Sequence, residues 1–189
     1  MNSAKKIIIL GAGGFAKTLA DILQQNKIYT EIKFLDDTKT GANILGKCSD
    51  YIKFKNENTD MYPAFGNNEV RGKWFKTLQQ GNINIPTIIH NSAYVSPTVK
   101  IEKGTVVLPK AIINTNCLVK QGCIVNCGAI IDHDCVLEEF VHVCIGAMVK
   151  AENKIPKGTK IEAGQIVARQ QFIQSSNPLI LKNAECFYE

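Results

Sequence analysis

Two patterns of apolar and polar positions divide the chain. Lys5-Lys6-Ile7-Ile8-Ile9-Leu10 is a nearly unbroken aliphatic run, the pattern of a parallel strand buried on both faces. It ends in Gly11-Ala12-Gly13-Gly14, after which Phe15, Leu19, Ile22 and Leu23 recur at helical spacing. A second strand, Glu31 to Leu35, ends in Asp36-Asp37. A third, around Tyr62 to Phe65, leads through Gly66-Asn67-Asn68-Glu69 into a helix carrying Val70, Trp74, Phe75 and Leu78.

From Ile89 the period changes to six. Positions 89, 95, 101 and onward to 167 are Ile, Val or Leu at 14 of 14 steps. Four residues after each aliphatic stands a small or thin residue, among them Ala93, Val99, Thr105, Ala111, Cys117, Cys123, Ala129, Cys135, Val141 and Ala147. Gly104, Gly122, Gly128, Gly146, Gly158 and Gly164 all fall three residues after an aliphatic, and Asn116 and Asp134 share that slot. These residue types tolerate the positive φ of a tight corner. Such a hexapeptide repeat predicts a parallel β-helix: three repeats make a triangular coil of 18 residues, with the aliphatic pointing into a narrow prism. The repeat does not fix the hand of the coil. Three flat faces favour a homotrimer, with corners meeting at the interfaces.

The fold class follows: an α/β, Rossmann-like half domain over residues 1–86, an all-β parallel β-helix over 87–172, and a C-terminal tail or cap over 173–189, where Leu179, Ile180 and Leu181 suit capping the open prism. Strand, glycine turn and helix N-terminus together favour phosphate, and an acid at the end of the second strand suits a ribose or a base. Eighty-five residues hold little more than one half of a dinucleotide fold, so a mononucleotide or nucleotide-sugar fits better than NAD.

Composition narrows the classes. Hydrophobic residues make 45% of the 189 residues and charged residues 21%, which is globular. No apolar run approaches a membrane span, and no signal peptide is visible, so the expectation is a cytoplasmic protein. Net charge is +5, with 12 basic and 8 acidic residues up to Pro86 against 10 and 9 after it; the surplus is too mild to argue for nucleic acid. The 7 cysteines read as free thiols of a reducing compartment, and those at 117, 123 and 135 as packing. Cys127 and Cys144 fall elsewhere in the repeat. Metal binding on such a helix needs three converging histidines; there are 3 in all, and His90 lies more than two coils before His133, so no metal is expected.

The set Gly11-Ala12-Gly13-Gly14, Phe34-Leu35-Asp36-Asp37, Gly66-Asn67-Asn68-Glu69-Val70-Arg71, Ile89-His90-Asn91-Ser92-Ala93 and Ile131-Asp132-His133-Asp134-Cys135-Val136, followed by Phe140-Val141-His142-Val143, closely resembles the bacterial sugar acyltransferases of the sialic acid O-acetyltransferase type. The nearest members are the N-acetyltransferases acting on UDP-4-amino-sugars. The resemblance implies a left-handed coil, acetyl-CoA as donor, and a nucleotide-linked amino-sugar as acceptor in glycan or lipopolysaccharide synthesis. By position, His133 matches the general base, Asp134 the acid raising its basicity, and Asn126 a polar neighbour of the site. His142 matches a contact to acetyl-CoA, with Gly146 and Ala151 on the same donor side. Backbone amides from Gly146 to Ala151 are candidate oxyanion donors. Gly13, Gly14, Asp36, Asp37 and Gly66 match positions lining the nucleotide-sugar pocket. The chain departs at Phe15 and Ala16, where those relatives have histidine and glycine, and its helix is shorter after Gly146. His133 and His142 lie nine residues apart, half a coil, so each active site is expected to draw them from different subunits. O-acetylation of a sialic-acid-like sugar and a non-catalytic nucleotide-sugar-binding trimer are the alternatives.

Overall fold

A computed structural model describes residues 5–172; the capping expected of Leu179 to Leu181 lies outside them. The first part is a three-stranded parallel sheet in the order β2-β1-β3, made of β1 (Lys6–Leu10), β2 (Glu31–Leu35) and β3 (Thr59–Pro63). Two helices accompany it, α1 (Gly14–Asn26) and α2 (Asn68–Gln80). Ile7, Ile9 and Leu10 are fully buried, as the aliphatic run requires of a central strand. The third strand starts three residues before its expected place because polar Thr59 and Asp60 mask it: Asp60 is buried, bonded by Tyr29 Oη at 2.6 Å, Asn84 Nδ2 at 2.8 Å and Lys5 Nζ at 2.8 Å. Strand order reverses at β1, so the crevice outside the carboxyl ends of β1 and β3 is where this architecture binds ligands.

Every six residues from Ile88 a two-residue strand follows, and the fourteen strands stack into three parallel sheets. Face I holds Ile88–Ile89, Val106–Val107, Ile124–Val125, His142–Val143 and Lys160–Ile161. Face II holds Tyr94–Val95, Ile112–Ile113, Ile130–Ile131, Met148–Val149 and Ile166–Val167, and face III runs from Lys100–Ile101 through Leu118–Val119 and Val136–Leu137 to Lys154–Ile155. Paired residues are 18 apart, as in Ile131 with Val149. The second residue of each strand points inward; Val107, Ile113, Val119, Val125, Ile131, Leu137 and Val143 are all fully buried. Ile89, at the open start of the prism, is 39% exposed.

The small slot is filled as the repeat predicts, with Ala111, Cys123, Ala129, Cys135 and Ala147 fully buried. It also carries hydrogen bonds that repeat with the coil. Thr105 Oγ1, Cys117 Sγ, Cys123 Sγ and Cys135 Sγ donate to the carbonyls of Lys120, Asp132, Glu138 and Lys150, each 15 residues on. Asn153 continues the series to Ala168 and accepts from the Phe172 amide at 2.9 Å. The corner slot is left-handed at every step from Gly104 to Gln170, at Lys110, Phe140, Glu152 and Gln170 as well as at the glycines, Asn116 and Asp134. Coil geometry sets this φ, and residue type follows only where space demands it.

The two parts share one core. Ile88, Val106, Leu108 and Phe140 cluster with β1, α1 and α2 residues such as Ile9, Leu19, Phe75 and Leu78. Phe140 meets Phe75 edge-on at 5.3 Å. A Cβ at Gly104 would lie 2.2 Å from the Phe75 ring, and one at Gly122 2.5 Å from the Phe140 ring. Glycine at 104 admits Phe75 of α2, and glycine at 122 admits the Phe140 ring that packs against it.

Candidate active site

His133 stands at the corner between faces II and III. Its Nδ1 pairs with Asp134 Oδ2 at 2.7 Å, and both side chains are 47% exposed. Two ladders of 18-residue spacing hold this pair. Asn116 Nδ2 donates to Asp134 Oδ1 at 3.3 Å, and Asn114 Nδ2 to Asp132 Oδ1 at 3.2 Å, where the His133 amide also donates at 2.9 Å. The hydrogen bond to Asp134, followed by the charges of Asp132 and Asp134, raises the imidazole above its ordinary pKa. His133 and Asp134 hold each other charged, since the Asp134 carboxyl is lowered first by His133 and then by Asn116. With Nδ1 committed to a carboxylate, Nε2 is the nitrogen left to exchange a proton. Asn114 was not singled out from sequence as a site residue, and Asn116 only as a corner; their place 18 residues before Asp132 and Asp134 was the available signal.

His142 lies on face I, only 8% exposed. Asn126 Oδ1 accepts the Cys127 amide at 2.8 Å, which leaves Asn126 Nδ2 to donate to His142 Nε2 at 3.2 Å. The neutral ring therefore carries its proton on buried Nδ1, which makes no hydrogen bond of good geometry, the Gly66 backbone acting on the ring only weakly. Burial, then the charge of Arg71, lowers its pKa to about 4, against an opposing contribution from the Gly66 backbone. Asn126 thus pairs with His142 and not with His133 inside one chain. The two histidines do not share a cleft: one is on an open corner, the other beneath the N-terminal unit.

The donor-side expectations divide. Gly146 is an exposed corner where an added Cβ would meet nothing within 4 Å. Ala151 is buried, 4% exposed, and its backbone helps hold the Asp132 carboxylate charged. The oxyanion expectation also fails for most of this stretch: the amides of Gly146, Ala147, Met148 and Lys150 donate to the carbonyls of Cys127, Cys144, Gln165 and Val167.

At the carboxyl ends of β1 and β2 the glycine turn is open, with nothing within 4 Å of a Cβ at Gly13, Gly14 or Gly66. Asp36 is spent on the fold: Oδ2 accepts the Ala12 amide at 2.7 Å, and Oδ1 accepts from the Thr38 and Lys39 amides and the Thr38 hydroxyl. Burial works to raise its pKa, but those amides outweigh it and hold the carboxyl down at about 2. Asp37 is exposed and uses one oxygen, Oδ1, on the Cys48 amide at 2.9 Å. A cleft of about 550 Å³ opens beside the turn, lined by Ala12, Lys17, Phe34, Lys39 and Ile44 among others. His90 bonds Ser92 Oγ at 2.8 Å, and among the described residues no group of three or more His, Cys, Asp and Glu side chains is arranged to hold a metal. No helix among them is long and apolar enough to cross a membrane.

A parallel β-helix with an acid-supported corner histidine, joined to a Rossmann-like half fold, defines the class: a hexapeptide-repeat acyltransferase with an N-terminal α/β unit. Residues 6–78 match the PglD N-terminal domain family. The acetyltransferase domain of PglB from Neisseria gonorrhoeae is 34% identical, covers 88% of this chain, is itself covered to 83%, and superposes with a TM-score of 0.84. The same domain has been solved with acetyl coenzyme A, at 33% identity over 89% of this chain and 84% of that one, with a TM-score of 0.84. Perosamine N-acetyltransferase from Caulobacter crescentus, solved with CoA and GDP-perosamine, is 26% identical over 87% of this chain and 89% of that one, with a TM-score of 0.76. An uncharacterized protein of Acanthamoeba polyphaga mimivirus is 37% identical over 107 residues, 53% of this chain; the chain spans only 21% of the length of that curated relative. The chain belongs to the hexapeptide-repeat sugar acyltransferases that carry a PglD-type N-terminal domain, and shares their left-handed coil.

Proposed function

We propose that the protein transfers the acetyl group of acetyl-CoA to the amino group of a nucleotide-linked 4-amino-sugar, with His133 as general base. The observation that carries this reading is the imidazole–carboxylate pair of His133 and Asp134, 2.7 Å apart on an exposed corner. A sugar ammonium must lose its proton before it attacks a thioester, and a base whose pKa is raised above the ordinary histidine value suits that step. His133 Nε2 takes the amine proton as the N–C bond forms; the tetrahedral oxyanion then collapses, the C–S bond breaks, and the proton passes on to the coenzyme thiolate. Relatives solved with acetyl coenzyme A and with CoA plus GDP-perosamine support both substrates. The acceptor's phosphates meet the turn at Gly13 and Gly14, Asp37 and Gly66 face the nucleotide-sugar, and the donor runs past Gly146 toward His142 and Asn126 of a neighbouring subunit. Such a product serves glycan assembly, lipopolysaccharide included, in the cytoplasm.

A homotrimer supplies that neighbour. Face I is covered by the N-terminal unit and face III carries Lys120, Glu138 and Lys154 in ion pairs. Face II presents an apolar column of Tyr94, Ile112, Ile130, Met148 and Ile166, with Tyr94 56% and Ile166 54% exposed, the kind of strip a second copy covers. The test is thiol release from acetyl-CoA in the presence of UDP-, GDP- and dTDP-linked 4-amino-sugars, with mass determined by light scattering. Turnover with one of them and a trimeric mass support the reading. Acetylation of a sialic-acid hydroxyl instead, or tight nucleotide-sugar binding without turnover, overturns it.

A further inference from the structure

The corner between faces III and I carries four backbone carbonyls spaced 18 residues apart, and the N-terminal unit grips every one. Tyr62 Oη donates to the Gly104 carbonyl at 3.2 Å, Arg71 Nε to Gly122 at 3.0 Å, Arg71 Nη2 to Phe140 at 2.9 Å and Asn68 Nδ2 to Gly158 at 2.8 Å. Arg71 Nη1 turns back to its own unit and donates to the Phe65 carbonyl at 3.0 Å. Arg71 is 0% exposed, and these hydrogen bonds all run to backbone carbonyls, with no carboxylate among the described residues paired to balance the charge. Burying a guanidinium without a counter-ion is costly, and an apolar side chain of similar volume fills such a space at lower cost. Packing alone does not explain an arginine here. What the planar fork supplies is three directed bonds in fixed relation.

Those bonds meet at the face I site. Phe65 immediately precedes Gly66, whose backbone interacts with His142. Phe140 stands two residues before His142, and Gly122 four before Asn126. The Thr159 carbonyl accepts the His142 amide at 2.9 Å and lies 3.3 Å from Asn68 Nδ2. Asn68 Oδ1 and His142 Nδ1, an acceptor and a donor, are both buried and neither makes a hydrogen bond of good geometry. A shift of the turn by a fraction of a coil breaks this arrangement, and misplacement of about 1 Å commonly costs on the order of a hundredfold in rate.

We propose that Arg71 is a positioning residue for the acyl transfer: its fork grips two successive rungs of the corner and registers the acceptor-binding turn Gly66–Asn68 against His142. This rests on the proposed acetylation of a nucleotide-sugar. Arg71→Lys keeps the charge and loses the fork; Arg71→Met loses both. In each, KM for the nucleotide-sugar rises on the order of tenfold while KM for acetyl-CoA stays within about twofold. The NMR titration of the His142 ring, which Arg71 and Lys160 oppose and Glu162 and the Gly66 backbone favour, moves up toward the ordinary histidine midpoint in Arg71→Met. Tyr62→Phe removes the rung farthest from His142, lowering Tm and leaving KM and the titration as they are. If Arg71→Met fails to fold, Asn68→Ala, which removes the bonds to the Gly158 and Thr159 carbonyls and leaves the Arg71 fork intact, must raise the acceptor KM alone. Arg71→Lys with an unaltered KM, or Arg71 variants that change Tm only, overturn the proposal. Should the wild type turn nothing over, the function reading fails while the His142 titration and the nucleotide-sugar Kd still decide the positioning role.

Discussion

One corner and one face of the same prism, built from the same repeat, hold histidines of opposite character. At the corner of faces II and III, water reaches His133 and three aspartate and glutamate neighbours favour its charged form, Asp134 foremost. On face I, beside the corner that α2 covers, burial and Arg71 keep His142 neutral down to about pH 4. The hexapeptide fixes only where a side chain points. What covers the corner decides whether a histidine there exchanges protons or serves as a fixed, neutral hydrogen-bonding group.

The largest test of that contrast is His133→Ala. Thiol release should fall on the order of a thousandfold with the thermal melt unchanged, since the side chain packs against little; retention of activity would end the assignment of the base. Next comes the difference between covered and open corners. Gly104→Ala drives a methyl into Phe75 at a positive φ of 67° and should destabilise by about 3 kcal/mol or more. Gly164→Ala, at the same φ of 67° with nothing within 4 Å, should cost about 1–2 kcal/mol; equal losses in denaturant titrations would mean that α2 does not set the glycine requirement.

A third test uses pH. The folded pKa of His142 lies below its unfolded value, so the unfolded chain binds the extra proton and stability falls on acidification between about pH 6.5 and about 4. Stability from this group is complete above that window. His142→Gln should remove on the order of 2–3 kcal/mol of that acid dependence, measured as ΔG of unfolding at several pH values. The smallest effect is expected from Asp134→Asn. Without the carboxylate the pKa of His133 drops, so the acidic limb of the pH–rate profile moves to lower pH, and the rate at neutrality falls less than about tenfold. A limb that stays in place would detach Asp134 from the base.

Most of the β-helix is legible from sequence because each coil repeats one constraint: an inward aliphatic, a small slot and a left-handed corner. Lys110, Phe140, Glu152 and Gln170 show the limit, since a corner imposed by the coil need not advertise itself through glycine. In the N-terminal unit β2 matches its expected span and β3 does not, because Thr59 and Asp60 are polar residues buried by partners distant in sequence. Arg71 shows the same limit: helical spacing brings Val70 forward, yet Val70 is 36% exposed and Arg71 fully buried. A charge satisfied by backbone carbonyls 51 and 69 residues away leaves no local trace. The pair of His133 and Asp134 is legible because it joins neighbours in sequence; the pairing of Asn126 with His142, a coil further on, is not, because the two stand 16 residues apart.

The four-rung seam acts as a ruler laid along the coil. Because its grips fall at 104, 122, 140 and 158, a coil inserted or removed within that interval dislocates the two units, whereas the length of prism beyond Gly158 is under no such constraint. The span between the glycine turn and the histidines is thereby held at a single length.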